Sequence, residues 1–118
     1  MTARRLAASA GFLGVALGAF GAHTFKDSFT PEQAAWWQTA TTYLLLHAAA
    51  MLGTARADGG ASGATWSFVA GVLVFSGSLY AMALGAPRWF GAITPLGGLA
   101  LLAGWALLLK PAAGPRPA

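Results

Sequence analysis

Apolar and small residues fill four long stretches of this chain, and polar residues gather in the short gaps between them. The first stretch, Leu6 to Ala22, is an unbroken run of ~17 residues, at the short end for a helix that crosses a bilayer. Arg4 and Arg5 ahead of it and Ala19-Phe20-Gly21 near its end also suit a secretory signal. We read it as an uncleaved span. The second stretch, Ala34 to Ala55, has ~22 residues and is the most polar, holding Thr39, Thr41, Thr42, Tyr43 and His47. Its start is well marked: in Thr30-Pro31-Glu32-Gln33 a hydroxyl N-cap precedes proline at the first helical position, and Gln33 completes a capping box. Thr65 to Ala86 and Phe90 to Leu109 can each cover ~30 Å of hydrocarbon at 1.5 Å per residue. Pro95 interrupts the last. A helix that began there would keep only ~15 residues, or ~22 Å, so a kinked span starting near Phe90 is expected, with a broken span as the other option.

The links are short, and short links make neighbouring helices antiparallel. The expected fold is therefore all-α, a four-helix up-down-up-down transmembrane bundle in one domain over 1–110. Its spans fall at about 5–23, 32–56, 65–86 and 90–109, with a flexible Pro-rich tail over 111–118.

Composition points the same way. Of 118 residues, 57% are hydrophobic and only 8% charged, against about 25% charged in an ordinary soluble domain. Mean hydropathy is +0.62, so lipid is the expected solvent. No cysteine is present, which removes disulfides, thiolate metal sites and cysteine nucleophiles. The net charge of +4 comes from seven scattered basic residues and three acids, too dispersed for a nucleic-acid surface. Counted by side, Arg4, Arg5, Arg56, Lys110 and Arg116 share one face of the membrane and Lys26 and Arg88 the other. The positive-inside tendency then puts both termini in the cytoplasm of a multi-pass inner-membrane protein. Phe25, Phe29, Trp36, Trp37, Trp89 and Phe90 form an expected outer aromatic belt, with Trp66 and Trp105 near the inner interface.

Depth counting locates the candidate chemistry. His47 falls ~16 Å below Trp36 and Ser76 ~15 Å below Ala86, both near mid-membrane, while Tyr43 and Tyr80 come out ~10 Å deep. His47 with Ser76, and Tyr43 with Tyr80, are thus expected as two stacked polar layers between the second and third helices. An ionisable group at such depth is a functional candidate, but a neutral imidazole that ties two helices together is the plainer role. Ser76 and Ser78 have only His47 as a possible base and no carboxylate to orient it, so no catalytic residue is expected. His23, the candidate at the outer face, lies ~15 Å from His47 in depth, too far for two axial ligands of one haem. No metal or cofactor is expected.

Glycines line the expected helix contacts: Gly14 and Gly18 in the first helix, Gly77 in the third, Gly97 and Gly98 in the fourth. The first helix carries more than one small-residue face, one for its own chain and another for a second copy or a membrane partner.

Four segments together resemble a known group: Gly18-Ala19-Phe20-Gly21-Ala22-His23, the spaced Trp36, Ala40, Tyr43 and His47, Phe75-Ser76-Gly77-Ser78-Leu79-Tyr80, and Thr94-Pro95-Leu96-Gly97-Gly98 followed by Gly104-Trp105. The chain resembles the family of small four-span membrane proteins catalogued as domain of unknown function four-two-three. The likeness covers nearly the whole chain, with Thr94 standing where a glycine is often seen. It implies a membrane protein in which His23, Tyr43, His47, Ser76, Ser78, Tyr80 and Gly98 are family features, and it implies no activity. The expected role is a helix-packing or accessory component of a homo-oligomer or larger membrane complex. The alternative is a small transporter or channel with Tyr43, His47, Ser76, Ser78 and Tyr80 as its intramembrane polar network.

Overall fold

The computed structural model describes residues 1–111, all-helical in its regular elements; beyond residue 111, the expected tail lies outside the described residues. Helix α1 runs Ala3–Ala19 and passes directly into a π-helical turn, Phe20–Thr24. Helix α2 is Pro31–Met51 and α3 is Gly63–Ala83. A 3-10 turn, Arg88–Ala92, leads through Ile93 into α4, Thr94–Leu108. Three helical stretches are long and apolar enough to cross a membrane: Ala3–Thr24, Gly63–Ala83 and Arg88–Leu108. Helix α2 matches them in length at 21 residues, but its polar side chains lower its hydropathy.

Local chemistry sets the ends. Thr30 accepts from the Gln33 amide while the Gln33 side chain accepts from the Thr30 amide, and Pro31 occupies the first turn of α2. Ser62 and Thr65 form the equivalent box on α3. Gly85, at φ +108°, ends α3 in the left-handed region that suits glycine. Pro95 does not kink the last helix. It sits in the first turn of α4, where a missing N–H costs nothing, and the 3-10 turn before it supplies the extra length.

Between α2 and α3 the chain makes a tight hairpin. Gly59 has φ +84°, Arg56 N–H donates to the Gly60 carbonyl at 2.8 Å, and Ala3 N–H donates to the Gly59 carbonyl at 3.2 Å. The start of α1 is thereby stitched to the hairpin. Asp58 accepts from Gly60 N–H at 2.8 Å and pairs with Arg56 at 3.2 Å. The Gly60 amide first, and then the Arg56 charge, hold the Asp58 carboxyl below its ordinary value.

Helix α1 packs along α2, α2 along α3 and α3 along α4. One core cluster takes Ala7 from α1, Leu44 and Met51 from α2, Phe68 and Val72 from α3 and Leu101 from α4. A second joins Ala40, Leu79 and Met82. Glycine positions register the helices. A Cβ on Gly21 would meet Trp37, on Gly18 Thr41, on Gly14 Leu45, and on Gly11 Ala48, so partners climb along α2 as they descend along α1. Gly71 meets Leu101, Gly97 the backbone of Phe75, and Gly104 the ring of Phe68, an equivalent ladder between α3 and α4. Gly77 is different: nothing lies within 4 Å of its would-be Cβ, so it packs no helix. Gly98 makes only an ordinary contact, 3.9 Å from Phe75. The glycines of α1 all turn toward α2, which leaves Phe12, Leu13 and Val15 on its outer face. Ala8, Ser9 and Ala19 are the small residues that stay exposed on this helix.

Candidate functional site

The two polar layers expected between α2 and α3 do not form as paired. His47 Nδ1 lies 2.8 Å from the Tyr43 carbonyl, one turn back on its own helix. Its Nε2 lies 3.0 Å from the indole nitrogen of Trp105 on α4. A carbonyl can only accept and an indole N–H can only donate, so this geometry selects one neutral tautomer, with the proton on Nδ1. A second proton, on Nε2, would face the Trp105 N–H and break that bond. The ring is 4% exposed and enclosed by Phe68, Trp105 and Tyr43 at centroid distances of 5.1, 5.8 and 6.0 Å.

The same contacts fix where the cluster lies along the bundle. His47 is one turn from the end of α2 at Met51, Phe68 lies near the start of α3, and Trp105 near the end of α4. The cluster therefore sits toward the hairpin end of the molecule, rather than midway along it. Helix α2 starts five residues before Trp36, at Pro31, and stops at Met51, which leaves His47 in its last third.

Ser76 donates instead to the Ala40 carbonyl at 2.8 Å, an α3-to-α2 tie. Tyr80 shares a 2.6 Å hydrogen bond with Thr41, not with Tyr43, which is 41% exposed and packs its ring on Phe75. Ser78 donates to the Phe75 carbonyl at 3.0 Å and shares a 2.6 Å bond with Thr94 on α4. Thr54 and Thr65 join the hairpin end of α2 to α3 at 2.7 Å. Every buried side-chain polar atom among the described residues has a hydrogen-bond partner. His23 is exposed in the π turn at the opposite end from His47. Among the described residues no three His, Asp or Glu side chains gather as a metal site.

Thr41, Thr54, Thr65, Thr94 and Trp105 are thus partners that residue type alone did not reveal. Threonines look unremarkable in a membrane helix, and Trp105 reads as an interface anchor. The helical spacing of Trp37, Thr41 and Leu44 was the available signal for a second buried face on α2. At the other end Trp37 donates its indole N–H to the Leu17 carbonyl at 2.7 Å, where α1 gives way to the π turn. Phe25 and Phe29 stack on one another and meet Trp37 edge-on and tilted, respectively. Arg88 pairs with Glu32 and lies 5.6 Å over the Trp36 ring; exposed as that pair is, it contributes little.

Long apolar helices whose buried polar groups are all satisfied internally define an α-helical membrane protein. The chain matches the family described as "Protein of unknown function (DUF423)" over residues 17–98. It is 44% identical over 108 residues to the UPF0382 inner membrane protein YgdD of Escherichia coli strain K12, covering 87% of this chain and 82% of that one. A UPF0382 membrane protein of Staphylococcus epidermidis is 39% identical over 101 residues, covering 82% and 83%. A third, from Staphylococcus saprophyticus, is 38% identical over 105 residues, covering 82% and 84%. No solved structure matches. The chain belongs to the DUF423 family and is a multi-pass inner-membrane protein.

Proposed function

We propose that the protein crosses the membrane four times, up-down-up-down with both termini cytoplasmic, and acts without catalysis as an accessory component of a homo-oligomer or larger membrane complex. The glycine ladders support the topology for α1 with α2 and α3 with α4, where partners run in opposite directions, and the ties of Tyr80 to Thr41 and Thr65 to Thr54 do the same for α2 with α3. The excess of Lys and Arg on the side of the termini supports the orientation.

One observation carries the accessory role. Thr39 and Tyr43 are exposed on the flank of α2 that turns away from α1, at depths where lipid offers a hydroxyl no partner. A neighbouring polypeptide would. The transporter alternative is weakened by the neutral His47 clamp, which has no free nitrogen to relay a proton.

The test is extraction of native membranes into polymer nanodiscs, followed by mass measurement and disulfide trapping at Thr39→Cys. The reading expects a particle with a second copy or a partner subunit, and trapping through position 39. A single copy without companions overturns it. Proteoliposome flux that disappears in His47→Ala, in a protein that remains folded, would support the transporter instead.

A further inference from the structure

Beside the Trp37 seat, a half-open groove of about 490 Å³ runs between the end of α1, its π turn and the first half of α2. That volume lies within the range of small-molecule sites, roughly 300–1,000 Å³. The groove flanks the change of winding at Phe20: Gly18, Gly21, Ala22, Phe25 and Phe29 line it from that side, with Trp37 seated on Gly21.

Three features describe its occupant. From Ala34 to Leu45 the wall on α2 measures ~16 Å along the helix axis, the thickness of one hydrocarbon leaflet, which is half of about 30 Å. The lining is mostly apolar, and Lys26, at the loop end, is its one charged residue. Between them, Gln38 and Thr42 line the groove as exposed polar side chains, ~6 and ~12 Å along the wall from Ala34.

We propose that the groove holds one acyl chain of an anionic phospholipid, with its phosphate against Lys26 and its hydrocarbon along the wall from Ala34 to Leu45. The site needs the chain to be in a membrane and does not depend on the accessory role or on a second copy, since Thr39 and Tyr43 occupy a different flank of α2.

The full chain, purified in mild detergent, is equilibrated with phosphatidylglycerol or with phosphatidylcholine of the same chain length and examined by native mass spectrometry. One retained phosphatidylglycerol is expected, favoured about fivefold over phosphatidylcholine, the factor equivalent to the ~1 kcal/mol a basic residue contributes near an anionic surface. Lys26→Gln should bring the two lipids to equal retention. Thr42→Trp, which fills the groove from an exposed position, should abolish retention of both while circular dichroism and gel filtration stay unchanged; Ala34→Phe repeats this from another wall if Thr42→Trp does not fold. Equal retention of both lipids by the unaltered protein, or unchanged retention in the filled variants, overturns the proposal. So does a second protein chain found in the groove by cross-linking from Ala34→Cys.

Discussion

Two seams in this molecule are lined with glycine and close differently. Between α3 and α4, Gly71, Gly97 and Gly104 meet Leu101, the Phe75 backbone and the Phe68 ring, so the two helices stay in contact for the length of α4. Between α1 and α2 the contact is uneven: Gly14 and Gly21 seat tightly on Leu45 and Trp37, Gly18 and Gly11 meet Thr41 and Ala48 more loosely, and a groove runs beside the seam from Gly18 into the π turn. Glycine permits close approach; it does not enforce it. What decides is the side chain opposite: Leu45 and Trp37 reach into the gap at Gly14 and Gly21, while the shorter Ala48 and Thr41 leave room at Gly11 and Gly18.

Substitutions can break this contrast, beginning at the tightest point. Gly97→Ala would drive a Cβ into the Phe75 main chain, which cannot rotate aside, and should destabilise the protein by about 3 kcal/mol or more. Gly18→Ala meets only the Thr41 methyl at 3.2 Å and should cost under about 1 kcal/mol; denaturant titration in mixed micelles reads both. Next in size is Trp105→Phe, which leaves His47 Nε2 without its donor and should cost about 1–3 kcal/mol. Trp37→Phe releases the Leu17 carbonyl beside the groove and should cost about 1 kcal/mol, with faster amide exchange confined to the π turn. Gly77→Ala touches nothing and should be neutral or stabilising by up to ~1 kcal/mol, because alanine is the better helix former.

The hairpin stitching α1 to α3 sharpens the comparison through pH. Asp58 has a lowered folded-state value, so its support is fully present above the ordinary carboxylate pKa and is lost as pH falls through the lower one. The Gly60 amide resonance should move with that titration, and in Asp58→Asn it should not move.

Much of the helical layout was legible because lipid imposes a coarse rule: long apolar runs and polar gaps. The Thr30/Gln33 cap was legible because its chemistry is local. The polar contacts were not. His47 could be recognised as buried from its face on α2, yet its partner stands 58 residues away on a helix whose rotation depends on the 3-10 turn before Pro95. Likewise Tyr80 finds Thr41 rather than Tyr43 because α2 rotates to seat Trp37 on Gly21. Residue type and spacing define which side chains need partners, while the windings at Phe20 and Arg88 decide who supplies them.

The buried imidazole of His47 fastens α2 to α4 as a neutral ring, held by the Tyr43 carbonyl and the Trp105 indole. Solid-state nitrogen-15 NMR of the protein in lipid bilayers at neutral pH tests it directly. The geometry predicts a proton on His47 Nδ1, a bare Nε2, and a nitrogen-to-nitrogen coupling from Nε2 to the Trp105 indole that vanishes in Trp105→Phe. A proton on Nε2, or an Nε2 signal indifferent to that substitution, would contradict it.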